Sequence, residues 1–251
     1  KLTDEIYQKG EKEKNSPQML KAYAWRMKYR EMLNPDSLYA GLKGLEQWGK
    51  QTDQPMDRAI LHSLIAGIYA NYAANNQWQL RQRTEIVGQT PSADIREWTA
   101  NMFVEKVRTN VKEALADSVL LLKTSSRDYI PFVELGKTSE YYHHDLYHLL
   151  ASRGIDALLQ VEKLGSGYTE TNAVNPVKQD IIAIYGNMLS AYKAAGLKEG
   201  YVLIALNYLE WRRGAERYIR PLQVKGEASV LTDDTYLKAL NTLKKFVELN
   251  S

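Results

Sequence analysis

The stretch DRAILHSLIAGIYANYAAN, residues 57–75, decides the fold class. Its apolar residues Ile60, Leu61, Leu64, Ile65, Ile68, Tyr69 and Tyr72 recur at steps of one and three. A half-buried strand would need alternation, whereas this spacing lines one broad face of an α-helix. Asp53 suits the N-cap of that helix, Pro55 suits its first turn, and Asn75 or Asn76 suits its end.

The same design recurs downstream. Ile181, Tyr185, Met188, Leu189 and Tyr192 form a stripe that stops at Gly196, a residue that tolerates the left-handed conformation of a helix terminus. After a short turn, Tyr201, Val202, Ala205, Tyr208 and Leu209 make another apolar face, and two helices joined so tightly must lie antiparallel. Further helices are expected over residues 2–14, 17–33, 37–50, 95–122, 141–163 and 234–249. Pro17, Pro35, Pro55, Pro91, Pro131, Pro176 and Pro221 all fall in gaps or first turns of this scheme, as helix interiors demand. At least eight helices in antiparallel pairs follow, with little or no sheet.

Residues 64–76 and 184–196 carry aromatic and apolar residues at matching steps, Tyr72 aligning with Tyr192, and both end at a helix-stopping residue. A hairpin built on a large packed residue and closed by a tight turn is the unit of tetratricopeptide-type repeats. The expected fold is therefore all-α: antiparallel helical hairpins, tetratricopeptide-like, in an α-α superhelix, although the strict repeat consensus is absent. The run GSGYTETNAVN, residues 165–175, reads as a linker or long exposed loop. It divides the expected helical-repeat region, residues 1–251, into a helical part over 1–165 and a hairpin part over 170–251. Residues 222–232 are expected to interrupt the last hairpin as a short ribbon.

Composition narrows the chemistry. Hydrophobic residues make up 44% of the chain, enough for a packed core rather than disorder. A net charge of +3 spread over a chain that is one-quarter charged gives no reason to expect nucleic acid as a partner. No apolar run is long enough to span a bilayer. With no cysteine, disulfides, thiolate metal sites, cysteine nucleophiles and internal thioesters are all excluded from these residues. The chain starts at Lys1 with helix-like sequence already under way, which reads as a piece of a larger protein.

Three runs carry a family resemblance: EKEKNSPQMLKAYAWRMKYREMLNPDSLYAGLKGLEQW at 11–48, ILHSLIAGIYANYAANNQW at 60–78, and SSRDYIPFVELGKTSEYYHHDLYHLLASR at 125–153. Together they resemble the N-terminal helical region of the large α2-macroglobulin-like proteins of Bacteroides-type bacteria. The resemblance implies an exported envelope protein, periplasmic or outer-membrane-associated, in which a helical region precedes macroglobulin-type β-domains that trap proteases. It implies a non-catalytic scaffold or protein-interaction role for this region. The implied partners are other domains of the same chain and a protein or peptide. It transfers no functional residue, and the family's thioester cysteine has no counterpart here.

Among candidate sites, His143, His144 and His148 stand out, because the run HDLYH at 144–148 looks like a zincin helix motif with Asp in place of Glu. Histidines four residues apart share a helix face, yet a third ligand is missing and His62 is the only other histidine. The plainer reading, polar residues at a helix start or in an inter-helix hydrogen-bond network, is preferred. No metal, cofactor or catalytic residue is expected, and a zinc-dependent hydrolase stands as the alternative. Arg212, Arg213, Arg217 and Arg220 are interleaved with Glu210 and Glu216, a pattern of surface ion pairs. With Trp211 they form the interaction candidates Trp211, Arg212, Arg213 and Arg217. Lys21, Arg26, Lys28 and Arg30 read as a solvated face. Seventeen Tyr and five Trp against three Phe favour rings with one buried side and one polar tip. Such rings also suit a peptide groove or, as a further alternative, the sugar-stacking surface of a glycan-binding helical lipoprotein.

Overall fold

The structure, a computed structural model, describes residues 1–34, 37–83, 92, 94–134, 136, 144–164 and 175–218, apart from the side chains of 213 and 215–218. The expected last helix and ribbon, most of the 165–175 linker, His143, Pro35, Pro91, Pro221 and Arg220 lie outside the described residues. Ten α-helices are described: α1 (Leu2–Lys12), α2 (Ser16–Leu33), α3 (Ser37–Gln51), α4 (Pro55–Asn75), α5 (Gln77–Arg81), α6 (Ala100–Ala114), α7 (Ser118–Lys123), α8 (Leu146–Val161), α9 (Pro176–Ala195) and α10 (Lys198–Tyr218). Two 3-10 turns, Ile95–Glu97 and Ser126–Tyr129, join them, and the one β-type contact described is an isolated bridge between Ser125 and Asp145. The fold is all-α.

From α1 to α4, and from α4 to α6, successive long helices run antiparallel, because their side chains pair symmetrically about the connections. Across the α1–α2 turn, Tyr7 meets Tyr23 and Asp4 meets Arg26. Across the next, the Tyr23 hydroxyl donates to the Gly41 carbonyl. From α3 to α4, Glu46 meets Tyr69 and Tyr39 meets Tyr72, and from α4 to α6 Tyr72 stacks on Phe103 while His62 meets Asn110.

Helix α2 approaches α3 closely at Gly41 and Gly44. A Cβ at Gly41 would lie 2.8 Å from the Met27 methyl, and one at Gly44 would land on the Tyr23 hydroxyl. Alanine at position 44 gains about 1 kcal/mol of helix propensity. It also displaces a nearly buried tyrosine from its hydrogen bond, at a cost of about 1–3 kcal/mol. We expect Gly44→Ala to be net destabilising in urea melts, and a stabilised variant would show that the two helices do not touch there.

α4 is the centre of the larger unit. The sequence marks one apolar face, but α3, α6 and α8 cover it from several sides, so Ala59, Ala66, Ala70 and Ala73 are buried together with Ile60, Leu61, Ile65 and Tyr69. Leu64, Ile68 and Tyr72 remain half-buried. Small alanines on the remaining sides let the neighbouring helices close in.

Three expected boundaries shift. The N-cap of α4 is Gln54, not Asp53, with Pro55 at the first helical position as expected. The helix expected over 95–122 is split: Thr99 caps α6, the chain turns at 115–117, and Asp117 accepts from the Leu120 N–H to start α7. The helix expected from residue 141 starts only at Leu146, because Asp145 caps it. Gln54 makes no side-chain cap bond, whereas the later breaks fall at Thr99, Asp117 and Asp145, short polar side chains that satisfy amide groups left open at a helix start.

Described residues up to Ile184 group into one compact unit and those from Tyr185 into another, so the grouping changes inside α9. In the first unit, the Arg108 guanidinium holds Asp180 of α9 at 2.6 Å and Glu105 at 2.6 Å. Burial works against the Arg108 charge, but these two carboxylates together raise its proton affinity. In the second unit, Tyr185 meets Tyr208 across the turn at Gly196, whose φ of 69° is left-handed as expected at a helix end. Met188, Tyr192, Ile204 and Ala205 are buried there.

Candidate functional site

The candidate site is a cleft of about 560 Å³ in the larger unit, walled by α3, α4, α6 and the segment around the first 3-10 turn. Tyr39, Lys43 and Glu46 stand at helical spacing on one face of α3, and Lys106 faces them from α6. Tyr69 and Trp98 form the inner wall, stacked at 5.3 Å between ring centres and 14° between planes, with Phe103 packed behind both. The Trp98 indole N–H donates to the Ser92 carbonyl at 2.7 Å, which fixes the ring.

Two charge pairs organise the cleft. Glu46 accepts from the Tyr69 hydroxyl at 2.9 Å and from the Lys106 ammonium at 2.9 Å. Burial raises the Glu46 proton affinity, but the hydrogen bonds from Lys106 and Tyr69 outweigh it and the carboxyl stays below its ordinary value. Burial and the adjacent Glu46 carboxylate push the Tyr69 hydroxyl far above its ordinary value, so it serves only as a donor. At the other end, Asp94 accepts from Arg96 Nε at 2.9 Å and from Nη2 at 2.7 Å, and that contact holds its carboxyl below the usual range. The same guanidinium lies 5.0 Å over the Tyr39 ring.

The lowered Glu46 value has a pH consequence. A carboxyl with a depressed folded value contributes stability above its unfolded value and loses it as pH falls through the folded one. For Glu46 the loss begins near the ordinary 4.5 and is complete only below the depressed value. Glu46→Gln is expected to flatten this part of the acid limb of stability against pH. An unchanged acid limb in denaturant titrations at several pH values would contradict the pairing.

The other singled-out residues lie elsewhere. His144 precedes the helix, and its carbonyl accepts from the Ser126 N–H at 2.7 Å. Asp145 is the N-cap, accepting from the His148 N–H at 2.6 Å. The shared helix face expected for His144 and His148 therefore does not form, because the capping Asp145 stands between them. The run HDLYH builds a helix start, the plainer of the two readings. His62 sits 2.8 Å from the Asn110 oxygen, linking α4 to α6. Among the described residues no group of three or more His, Asp or Glu is placed to hold a metal ion.

Trp211 stacks with Tyr185 in the second unit, and among the described residues its shielded indole N–H has no hydrogen-bond acceptor. Arg212 donates to the Tyr208 hydroxyl at 3.1 Å and lies over that ring, 5.7 Å from its centre. The side chains of Arg213 and Arg217 lie outside the described residues. On α2, Arg26 is not solvated: it pairs with Asp4 at 3.2 Å and lies over the Tyr7 and Tyr23 rings. Lys28, Arg30 and Glu31 are exposed as expected of a solvated face, and beside them α2 exposes apolar side chains, with Trp25 41%, Tyr29 52%, Met32 74% and Leu33 88% exposed, the two rings stacked on each other and the Lys28 ammonium 5.0 Å over the Trp25 ring.

Sequence reasoning missed Lys43, Glu46, Arg96 and Lys106. The α3 part was visible as Tyr39, Lys43 and Glu46 on one helix face, but nothing local connects it to residues some fifty positions later. No protein-family profile, curated protein or solved structure matches the chain.

Proposed function

We propose that this chain is a non-catalytic scaffold and protein-interaction domain of a large exported α2-macroglobulin-like protein, periplasmic or attached to the outer membrane. The family assignment rests on the resemblance of residues 11–48, 60–78 and 125–153. The observation that carries the interaction role is the apolar face of α2, where Trp25, Tyr29, Met32 and Leu33 stand exposed at helical spacing. Scattered exposed apolar residues are ordinary, but a stacked ring pair with two aliphatic side chains at the same helical spacing, edged by Lys28, suits a surface that is covered in use. The antiparallel hairpins stack in a tetratricopeptide-like manner. His62, Asp57 and Asp145, the polar groups closest to chemistry, tie helices together or start them.

Protease trapping then belongs to other domains, since a thioester needs the cysteine that these residues lack. The isolated chain is expected to unfold cooperatively and to leave a general protease uninhibited, and inhibition at near-equimolar concentration would refute the division of labour. Cross-linking of the full-length protein is expected to join Lys28, Lys193 or Lys198 to peptides of other domains. Cross-links confined to this chain would remove the scaffold role.

A further inference from the structure

We propose that the cleft between α3, α4 and α6 is a docking site for an extended acidic peptide segment, whose carboxylate meets Lys43. This inference is independent of the family assignment, because it rests on the cleft alone.

Charge is the first argument. Within the cleft Lys106 is matched by Glu46 and Arg96 by Asp94. Lys43 lies on α3 between Tyr39 and Glu46, exposed and with no ion-pair partner among the described residues. Among the described lining residues one positive charge is therefore left uncompensated. A single carboxylate restores neutrality, and a second cation is repelled. The two internal pairs also hold Arg96 and Lys106 in place, so a ligand meets a charge pattern that is already ordered.

Shape and lining give the rest. The wall from Tyr39 to Glu46 is two helical turns, roughly 10 Å long, which matches about three residues of extended chain. A volume of about 560 Å³ falls in the size range of pockets that bind small ligands and short peptides. Ala40, Leu42 and Ile95 supply apolar lining for flanking side chains. Little ring face is left for a sugar: Tyr69 and Trp98 are stacked on each other and buried, and one face of Tyr39 is covered by Arg96. Peptide is the better fit.

The test is fluorescence anisotropy of a labelled, end-capped six-residue peptide of alternating Leu and Glu, titrated with the 251-residue chain. Saturable binding with a dissociation constant below about 1 mM is expected, weakening as salt rises. A twin peptide with Gln in place of Glu should bind at least about tenfold more weakly. Lys43→Glu should weaken binding of the Glu peptide by about tenfold or more, with circular dichroism unchanged because the side chain is exposed. Lys123→Glu on α7, outside the cleft, should leave it unchanged. Equal affinity for the Glu and Gln peptides, no effect of Lys43→Glu, or failure to saturate would each overturn the proposal. Glutarate is expected to compete only weakly, and competition as tight as that of the peptide would show that the site takes a free carboxylate and not a chain segment.

Discussion

Phe103→Ala is expected to destabilise the larger unit by about 4 kcal/mol and to lower its melting temperature by about 10 °C. Phe103 has no exposed surface and is the ring on which three others converge: Tyr72 stacks on it at 5.3 Å, Trp98 tilts against it at 5.3 Å and Tyr69 meets its edge at 6.2 Å. Removing it leaves a cavity between α4, α6 and the segment that presents Trp98, and the surrounding large rings cannot all close onto the gap. Phe103→Leu, which keeps most of the volume, should cost only about 1–1.5 kcal/mol. Denaturant unfolding of the two variants measures the difference. A cost below about 1 kcal/mol for the alanine would mean that the ring is not part of a close-packed core. Because Trp98 leans on Phe103, the same substitution should also loosen the cleft wall.

Asp57→Ala is expected to cost about 3 kcal/mol, an effect usually confined to core residues. Asp57 is 4% exposed at the start of α4, and its carboxyl accepts from the Tyr129 hydroxyl at 3.0 Å and from the Ser16 hydroxyl at 2.5 Å. One side chain thereby clasps the beginning of α2, the beginning of α4 and the second 3-10 turn. Burial and the adjacent carboxylate raise the Tyr129 hydroxyl above its ordinary value, so it acts only as a donor. Alanine leaves that buried donor without its acceptor, which is the costly half of a broken hydrogen bond. Asp57→Asn keeps an acceptor oxygen and should cost clearly less. In a double-mutant cycle with Tyr129→Phe, a coupling energy above about 0.5 kcal/mol is expected, and strict additivity would remove the clasp.

Helix periodicity was legible because it is local. The stripe from Ile60 to Tyr72 and the stripe from Ile181 to Tyr192 repeat within one or two turns, and prolines and Gly196 punctuate the chain where helix interiors exclude them. Antiparallel pairing followed from turn length alone. Caps were less legible, since Asp145 and Asp117 start helices in stretches whose apolar spacing runs straight through them. A capping bond competes with one more turn of helix, and neighbouring packing decides between them.

Residue types and their spacing thus determined the all-α class, the main helices and the exclusion of cysteine chemistry. Tertiary structure alone decided that α4 is covered on several sides, that Arg26 is held between Asp4 and two tyrosine rings, and that HDLYH builds a helix start. It alone brought Lys43 and Glu46 of α3 to Arg96 and Lys106. The reason is physical: periodicity is written in steps of three and four residues, whereas a cleft is made by side chains whose distance depends on how whole helices pack. Packing is set by the summed fit of many small contacts, and no short run of sequence contains that sum.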